Sequence, residues 1–536
     1  MGKDLARYSL YTAIHIASLF LAPNSHAQNA IGDTARAEEY VKKAWESYLQ
    51  VEYDSSIFLY RRAADIFVKA ERWERYVHCL NIIGDCYSRE LRLDSMEVIL
   101  QRARKLGEET LEPDNLECAL TYSLLGLLYV GRDKLEVAIE NILKGKNIRE
   151  SKLGKDHRKV AASHFLLGAA YSYKGEYDKA IETCREALRI YALLADNDNF
   201  DLANTFMLIG TVFVRRSDND IALSYFLKAQ SLINDGSRKY AQLVVHCEDN
   251  LGWAYLEKGD YAKSIEHLTK AIDLHSRLFG ENDVTMASCY SKLGAVYGAL
   301  GDYDRAIEFY QKSLTIDKQL LGENHSFIAG IGKELAIAFA NKDEIDNALR
   351  SSYQSLSIYR NAFGENHPTL GYNYETLGNI YKKRGDDSLA LVNYQRALAI
   401  RLQLRESYDR IDVANLYSEI GSVYKEMNHN ERAIGYFNKS LQLHNNLPEP
   451  NRSQRAATLK GLGDVYTRQR EFATGLHYYQ QAIITLVPEF SDTSIHSNPT
   501  PHDVTHGKVL INVLGAKAAA FELCYSPRSR DLSNLQ

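Results

Sequence analysis

The 536-residue chain is short of proline, cysteine and tryptophan, with nine, seven and three of each. Proline fixes φ and donates no backbone hydrogen bond, so its scarcity leaves room for long, unbroken helices. After Pro113, none falls inside a strongly helical stretch apart from Pro368, which sits in a connector. The cysteines (Cys79, Cys86, Cys118, Cys184, Cys247, Cys289 and Cys524) are dispersed and contain no CxxC pair. That argues against a metal site and a disulfide framework. Most lie in helical patterns, where a thiol serves as a small apolar filler. Cys79 and Cys86 share one helix face but stand too far apart along it to bond. Neither charge dominates: 64 basic residues face 69 acidic ones, a net charge of −5, so no attraction to nucleic acid is expected. There is no Walker loop, GxGxxG, HExxH, GxSxG or kinase motif set. Cys524 and His506 flank a helix end with no fold around them, and make a poor nucleophile–base pair. No catalytic residue, cofactor or metal is therefore expected.

What the chain has is a period. A small residue returns at Gly84, Gly126, Gly168, Gly210, Gly252, Gly294, Ala336, Gly378, Gly421 and Gly463, with a step of 42 residues everywhere except one of 43. An aromatic follows three positions later, as at Tyr87, Tyr129, Phe213, Tyr297, Tyr381 and Tyr466. Alanine usually follows at the twelfth position, as at Ala138, Ala180, Ala306, Ala390 and Ala433. A large side chain follows at the sixteenth, as at Phe226, Tyr310, Tyr394, Phe437 and Tyr479. The twelfth and sixteenth positions are one helical turn apart and share a face. A glycine inside a helix costs roughly 1 kcal/mol against alanine, so its return implies a packing gain. We read it as the crossing point of two helices, formed with the alanine and flanked by the aromatics. Turns are marked by Gly175-Glu176, Gly259-Asp260, Gly301-Asp302 and Gly385-Asp386, where glycine ends one helix and the acid caps the next.

This pattern resembles the tetratricopeptide repeat. The connectors Leu153-Gly154-Lys155-Asp156-His157, Leu321-Gly322-Glu323-Asn324-His325 and Phe363-Gly364-Glu365-Asn366-His367 lengthen the usual period of about 34. Connectors of this kind are similar to those of kinesin light chains. The resemblance implies an all-α fold, a right-handed superhelical α-solenoid of antiparallel helix pairs. It covers roughly residues 70–485. His157, His325 and His367 recur at one phase, so a hydrogen-bonding role in fixing the connector is expected of them.

Residues 1–27 read as a secretory signal. Lys3 and Arg7 precede an apolar run from Tyr11 to Ala22, and Ser25-His26-Ala27 offers a cleavage site. The run is too short for a membrane span. An extracytoplasmic location follows, with a cytoplasmic one as the alternative. Residues 33–75 read as a degenerate first unit sealed by Trp45 and Trp73, residues 76–485 as an array of about ten units, 486–507 as a polar linker, and 508–536 as an incomplete helical unit. The linker resembles the spacer in bacterial secreted proteins that join such repeats to a caspase-like (CHAT-type) peptidase domain.

With no chemistry in view, the expected function is a non-enzymatic scaffold that binds a protein or peptide partner. The alternative is the regulatory part of a CHAT-type peptidase or signalling kinase. In tetratricopeptide repeats a stripe of the first helix lines the concave groove. Here that stripe carries Phe165, Met207 and Trp253 early, and Asn379, Lys382, Asn415 and Lys425 late. The expected groove has apolar pockets in its early half, with Trp253 as the hot spot, and polar anchors in its late half.

Overall fold

The computed structural model describes residues 33–90, 92–194, 199–233, 240–280, 283–403, 409–446, 451–487, 489–499 and 507–525. The signal-like segment 1–27 and most of the last unit's tail lie outside the described residues.

Among the described residues there are 23 helices and no strand. They fall into two units, Met1–Glu323 and Asn324–Gln536. The first holds α1 (Asp33–Leu49), α2 (Tyr53–Lys69), α3 (Trp73–Arg89), α4 (Leu93–Thr110), α5 (Leu116–Gly131), α6 (Leu135–Leu153), α7 (Arg158–Lys174), α8 (Tyr177–Leu194), α9 (Phe200–Arg215), α10 (Asn219–Ile233), α11 (Ala241–Lys258), α12 (Tyr261–Phe279), α13 (Val284–Leu300) and α14 (Tyr303–Leu321). The second holds α15 (Ser326–Asn341), α16 (Ile345–Phe363), α17 (Pro368–Arg384), α18 (Asp387–Gln403), α19 (Asp409–Glu426), α20 (Asn430–Asn445), α21 (Arg452–Arg468), α22 (Phe472–Leu486) and α23 (Gly507–Tyr525). Within each unit every even-numbered helix packs on the odd-numbered one before it, and the next pair stacks on that. The tenfold glycine period thus maps onto the pairs α3–α4 through α21–α22. α1 and α2 form one more pair, and Trp73 already belongs to α3.

The glycines sit where the paired helices touch. A Cβ built on Gly294 would lie 2.7 Å from Tyr310 Cδ1, and one on Gly378 would lie 2.6 Å from Tyr394 Cδ1. The same holds for Gly84 against Leu100, Gly126 against Ile142, Gly168 against Cys184, Gly210 against Phe226, Gly252 against Leu268, Gly421 against Phe437 and Gly463 against Tyr479. In each case the sixteenth-position side chain fills the space a Cβ would need, so it is the main partner of the glycine. The twelfth-position alanines are fully buried beside it. Where that position is Ser264, its hydroxyl donates to the Gly252 carbonyl at 2.7 Å. The third-position aromatic stacks on the second helix, as Tyr297 does on Phe309 with ring centroids 5.4 Å apart.

From the second repeat to the tenth, the chain turns through the left-handed region at the seventh position. Gly175, Gly259, Gly301 and Gly385 do so at φ between 80° and 83°. Asp133, Ser217, Asp343, Asn428 and Arg470 occupy the same position with φ between 59° and 69°. The connector glycines differ: Gly364 has φ 82° and ψ 176°, a region open to glycine alone. The recurrent histidines cap the helices that follow. Nδ1 of His157, His325 and His367 accepts the backbone N–H of Lys159, Phe327 and Thr369 at 3.0, 3.3 and 3.3 Å.

Candidate functional site

In the first unit the side chains expected to line apolar pockets are not free to do so. Phe165, Met207 and Trp253 are all buried, Trp253 to 1% exposure. The reading of Trp253 as a groove hot spot is therefore corrected: the indole belongs to the core. Successive first helices meet along this stripe, α7 on α9, α9 on α11 and α11 on α13, so its large apolar side chains fill the seam between them. Trp253 Nε1–H donates to Glu257 Oε1 at 3.2 Å, and Lys292 Nζ lies 5.9 Å from the ring centroid. Lys292 is fully buried and pairs with Asp249 Oδ2 at 2.5 Å. Cys289 Sγ lies 3.3 Å from the other Asp249 oxygen.

In the second unit the stripe is polar, and Asn379, Lys382 and Lys425 are already engaged. Exposed Asn379 accepts the Tyr394 hydroxyl at 2.6 Å. Lys382 reaches across to Glu419 at 2.8 Å, and Lys425 to Asp464 at 2.9 Å. Asn415 is half-buried, with its side-chain oxygen unpartnered. Burial works against the Lys425 ammonium, but Asp464 and Glu426 outweigh it and hold its pKa above the ordinary lysine value. Burial likewise opposes the Asp464 carboxylate, and Lys425 with Lys460 pulls it below the usual range. The two expected lysine anchors are thus rungs of an ion-pair ladder between first helices.

That ladder borders a groove of about 590 Å³. Ser418, Glu419, Ser422 and Lys425 of α19 form one side, and Ala457, Lys460, Gly461 and Asp464 of α21 the middle. Phe437 of α20 is also in the lining, and Val509, Asn512 and Ala516 of α23 close the far side. Of the four late-half anchors named from the sequence, Asn379, Lys382, Asn415 and Lys425, only Lys425 lines it. Gly461 fits tightly here, since a Cβ would meet Phe437 Cζ at 2.6 Å. α23 is held in place by Lys517, whose buried ammonium donates to Gln480 Oε1 at 2.6 Å, the Ser497 carbonyl at 2.8 Å and Asn498 Oδ1 at 2.9 Å. Burial pushes its pKa down to about 8. The stretch read as a polar linker is thereby tied, in part, to α22 and α23.

One signal was missed in the sequence. The residue 23 places after each glycine is buried in every unit from the second to the ninth: Arg149, Tyr191, Ile233, His275, Asp317, Tyr359, Arg401 and His444. Ionisable residues at a buried phase of a repeat point to internal polar contacts, and Arg401 shows what they do. Its guanidinium pairs with Asp412 and with Glu375 at 2.7 Å, and lies 4.1 Å from the Tyr372 ring centroid.

Six segments, residues 133–192, 160–235, 201–274, 246–319, 330–403 and 412–483, match the tetratricopeptide repeat family and together span well over half of the chain. The chain belongs to the tetratricopeptide repeat family. Among curated proteins it is similar to the uncharacterized protein ycf37 of Guillardia theta, 29% identical over 113 residues, or 21% of this chain. The chain spans 57% of the length of that relative. Among solved structures it is similar to BtubC (BKLC) from P. vanneervenii, at 23% identity and TM-score 0.37, covering 44% of this chain and 93% of that one. It is also similar to a Podospora anserina kinesin light chain with nearly identical repeats, at 17% identity and TM-score 0.33, covering 39% and 97%. The repeat fold supports a protein-interaction scaffold, and no described helix is long and apolar enough to cross a membrane.

Proposed function

We propose that this tetratricopeptide array is a non-enzymatic scaffold that holds a polypeptide segment of its partner in the groove of its second unit. The observation that carries this reading is the 590 Å³ groove walled by three first helices, α19, α21 and α23. Its charges, Glu419, Lys425, Lys460 and Asp464, balance one another, and Lys425 and Lys460 both contact Asp464. A groove of no net sign, with Phe437, Val509 and Ala516 among its lining, suits an amphipathic, weakly charged peptide. Export through residues 1–27 is part of the proposal, and N-terminal sequencing of the mature protein tests it.

The binding test is selection from a displayed random-peptide library on the full chain, followed by affinity measurement on Ala457→Trp and Ala516→Trp. Both substitutions fill the groove from different walls. The selected peptides should lose at least roughly tenfold in affinity to each, as expected for an occluded pocket. Peptides that bind both variants as well as the parent, or a library that yields no groove-dependent binder, would exclude the groove as the docking site.

A further inference from the structure

Arg149 and Arg401 stand at the same place in their repeats, 23 residues after Gly126 and Gly378, and both are buried. Arg401 faces two carboxylates. Glu375 comes from three residues before its own glycine, and Asp412 from nine residues before the next one, Gly421. At the matching places around Arg149 stand Ser123 and Lys159. The first carboxylate has become a hydroxyl, and the second has become another cation. Arg149 Nη1 donates to Ser123 Oγ at 2.9 Å and to Ser163 Oγ at 2.7 Å. Among the described residues neither Arg149 nor Lys159 has an ion-pair partner. Glu117, an acid near enough to act on both, has its carboxylate turned to His78 and Asn81, each at 3.1 Å.

A cation that is 93% buried without a counter-ion is costly, because the hydration it gives up is not replaced by an opposite charge. Burial pushes the Arg149 pKa down to about 10. Burial and then Arg149 lower that of Lys159, and burial, Lys159 and Arg149 together lower that of His157. Three basic groups thus crowd one junction of α5, α6 and α7, where the equivalent junction of the second unit supplies two acids.

We propose that the Arg149–Lys159 junction is a binding site for an oxyanion, a carboxylate or phosphate group that takes the place Glu375 and Asp412 fill around Arg401. The guanidinium fork suits either group, and the two serine hydroxyls hold Arg149 in position for it. Lys159, half-buried at the start of α7, supplies the second charge. This site is separate from the second-unit groove and does not depend on what that groove holds.

The test is thermal unfolding of the full chain at pH 7 in sodium chloride, sodium acetate and sodium phosphate of equal ionic strength. One anion should raise the midpoint of the parent by roughly 2–4 °C over chloride, the size expected for a filled site in a large domain. Phosphate acting above acetate assigns a phosphate group, and the reverse assigns a carboxylate. Arg149→Met should abolish the increment and be no less stable than the parent in chloride, since it removes an uncompensated charge. Lys159→Gln, at a half-exposed position where folding is safe, should at least halve it and carries the test alone if Arg149→Met fails to fold. An increment of equal size in the parent and in the folding variants would be the general salting effect of the anion and would overturn the proposal. So would no increment in the parent.

Discussion

The same stripe of the first helix is shut in one unit and open in the other. In the first unit, Phe165, Met207 and Trp253 are buried where successive first helices meet. In the second, Lys382, Glu419, Lys425 and Asp464 pair across the seam while keeping partial contact with water. Burying an ion pair completely forfeits more hydration than the pair returns unless its geometry is very good. Charged positions on the stripe therefore keep a path to water, and the groove lies where they cluster. The first unit does bury one pair, Asp249–Lys292, and there the pair is packed against Trp253 and Cys289. The lesson is that an apolar stripe in such an array need not be a binding surface. Given enough bulk, it becomes core.

The largest effect expected of this contrast is on stability. Trp253→Ala should cost about 3–5 kcal/mol, the range for emptying a core tryptophan site. It should appear as an early unfolding step in a urea titration, with hydrogen-exchange protection lost from α11 and α13. A binding defect with unchanged stability would restore Trp253 to the groove and break the comparison.

A second, somewhat smaller effect comes from acid. His246 is buried in α11 with both ring nitrogens unpartnered, and burial pushes its pKa down to about 4. The unfolded chain binds this proton near pH 6.5 and the folded chain only near pH 4, so the unfolded state holds more protons in between. Stability must then fall as pH drops through that window, by up to about 3 kcal/mol. Full stability from this group is present above pH 6.5. Urea midpoints at pH 7 and 4.5 should converge in His246→Leu, and a parent-like slope in that variant would show that other groups carry the acid response.

The pairing of helices was legible because its marks are backbone marks. The glycine at each crossing, the left-handed turn at Gly301 and the histidine caps each leave a fixed residue at a fixed phase. The alanine at the twelfth position was read as the partner of the glycine, whereas the structure gives that part to the sixteenth residue, whose atoms stand where the Cβ would be. The functional face was less legible. Periodicity shows that Trp253 and Lys425 share a stripe, but how closely neighbouring helices approach is a tertiary property that no single unit carries. Polar residues at a buried phase, Arg149 and Arg401 above all, were readable in principle, since they recur in register with the glycines. What the phase alone does not carry is its burial, which depends on how successive helix pairs stack.

The smallest effect sharpens the comparison from the open side. Lys382 and Glu419 are 31% and 37% exposed, so their ion pair is partly screened and worth about 0.2–1 kcal/mol. Lys382→Met should change the unfolding free energy of the second unit, read from urea titration, by no more than that at low salt and by less still at 0.5 M sodium chloride, where screening has already weakened the pair. If the ladder holds the helices apart by keeping its charges in water, Lys382→Met combined with Glu419→Leu should do more than remove a weak bond. Two apolar side chains at that rung would favour closure of α17 on α19, and the double variant should gain stability while the amides of both helices exchange more slowly. A double variant that merely loses the value of the pair, with exchange unchanged, would mean that the spacing of these helices is set by the rest of the packing and not by the charges on the stripe.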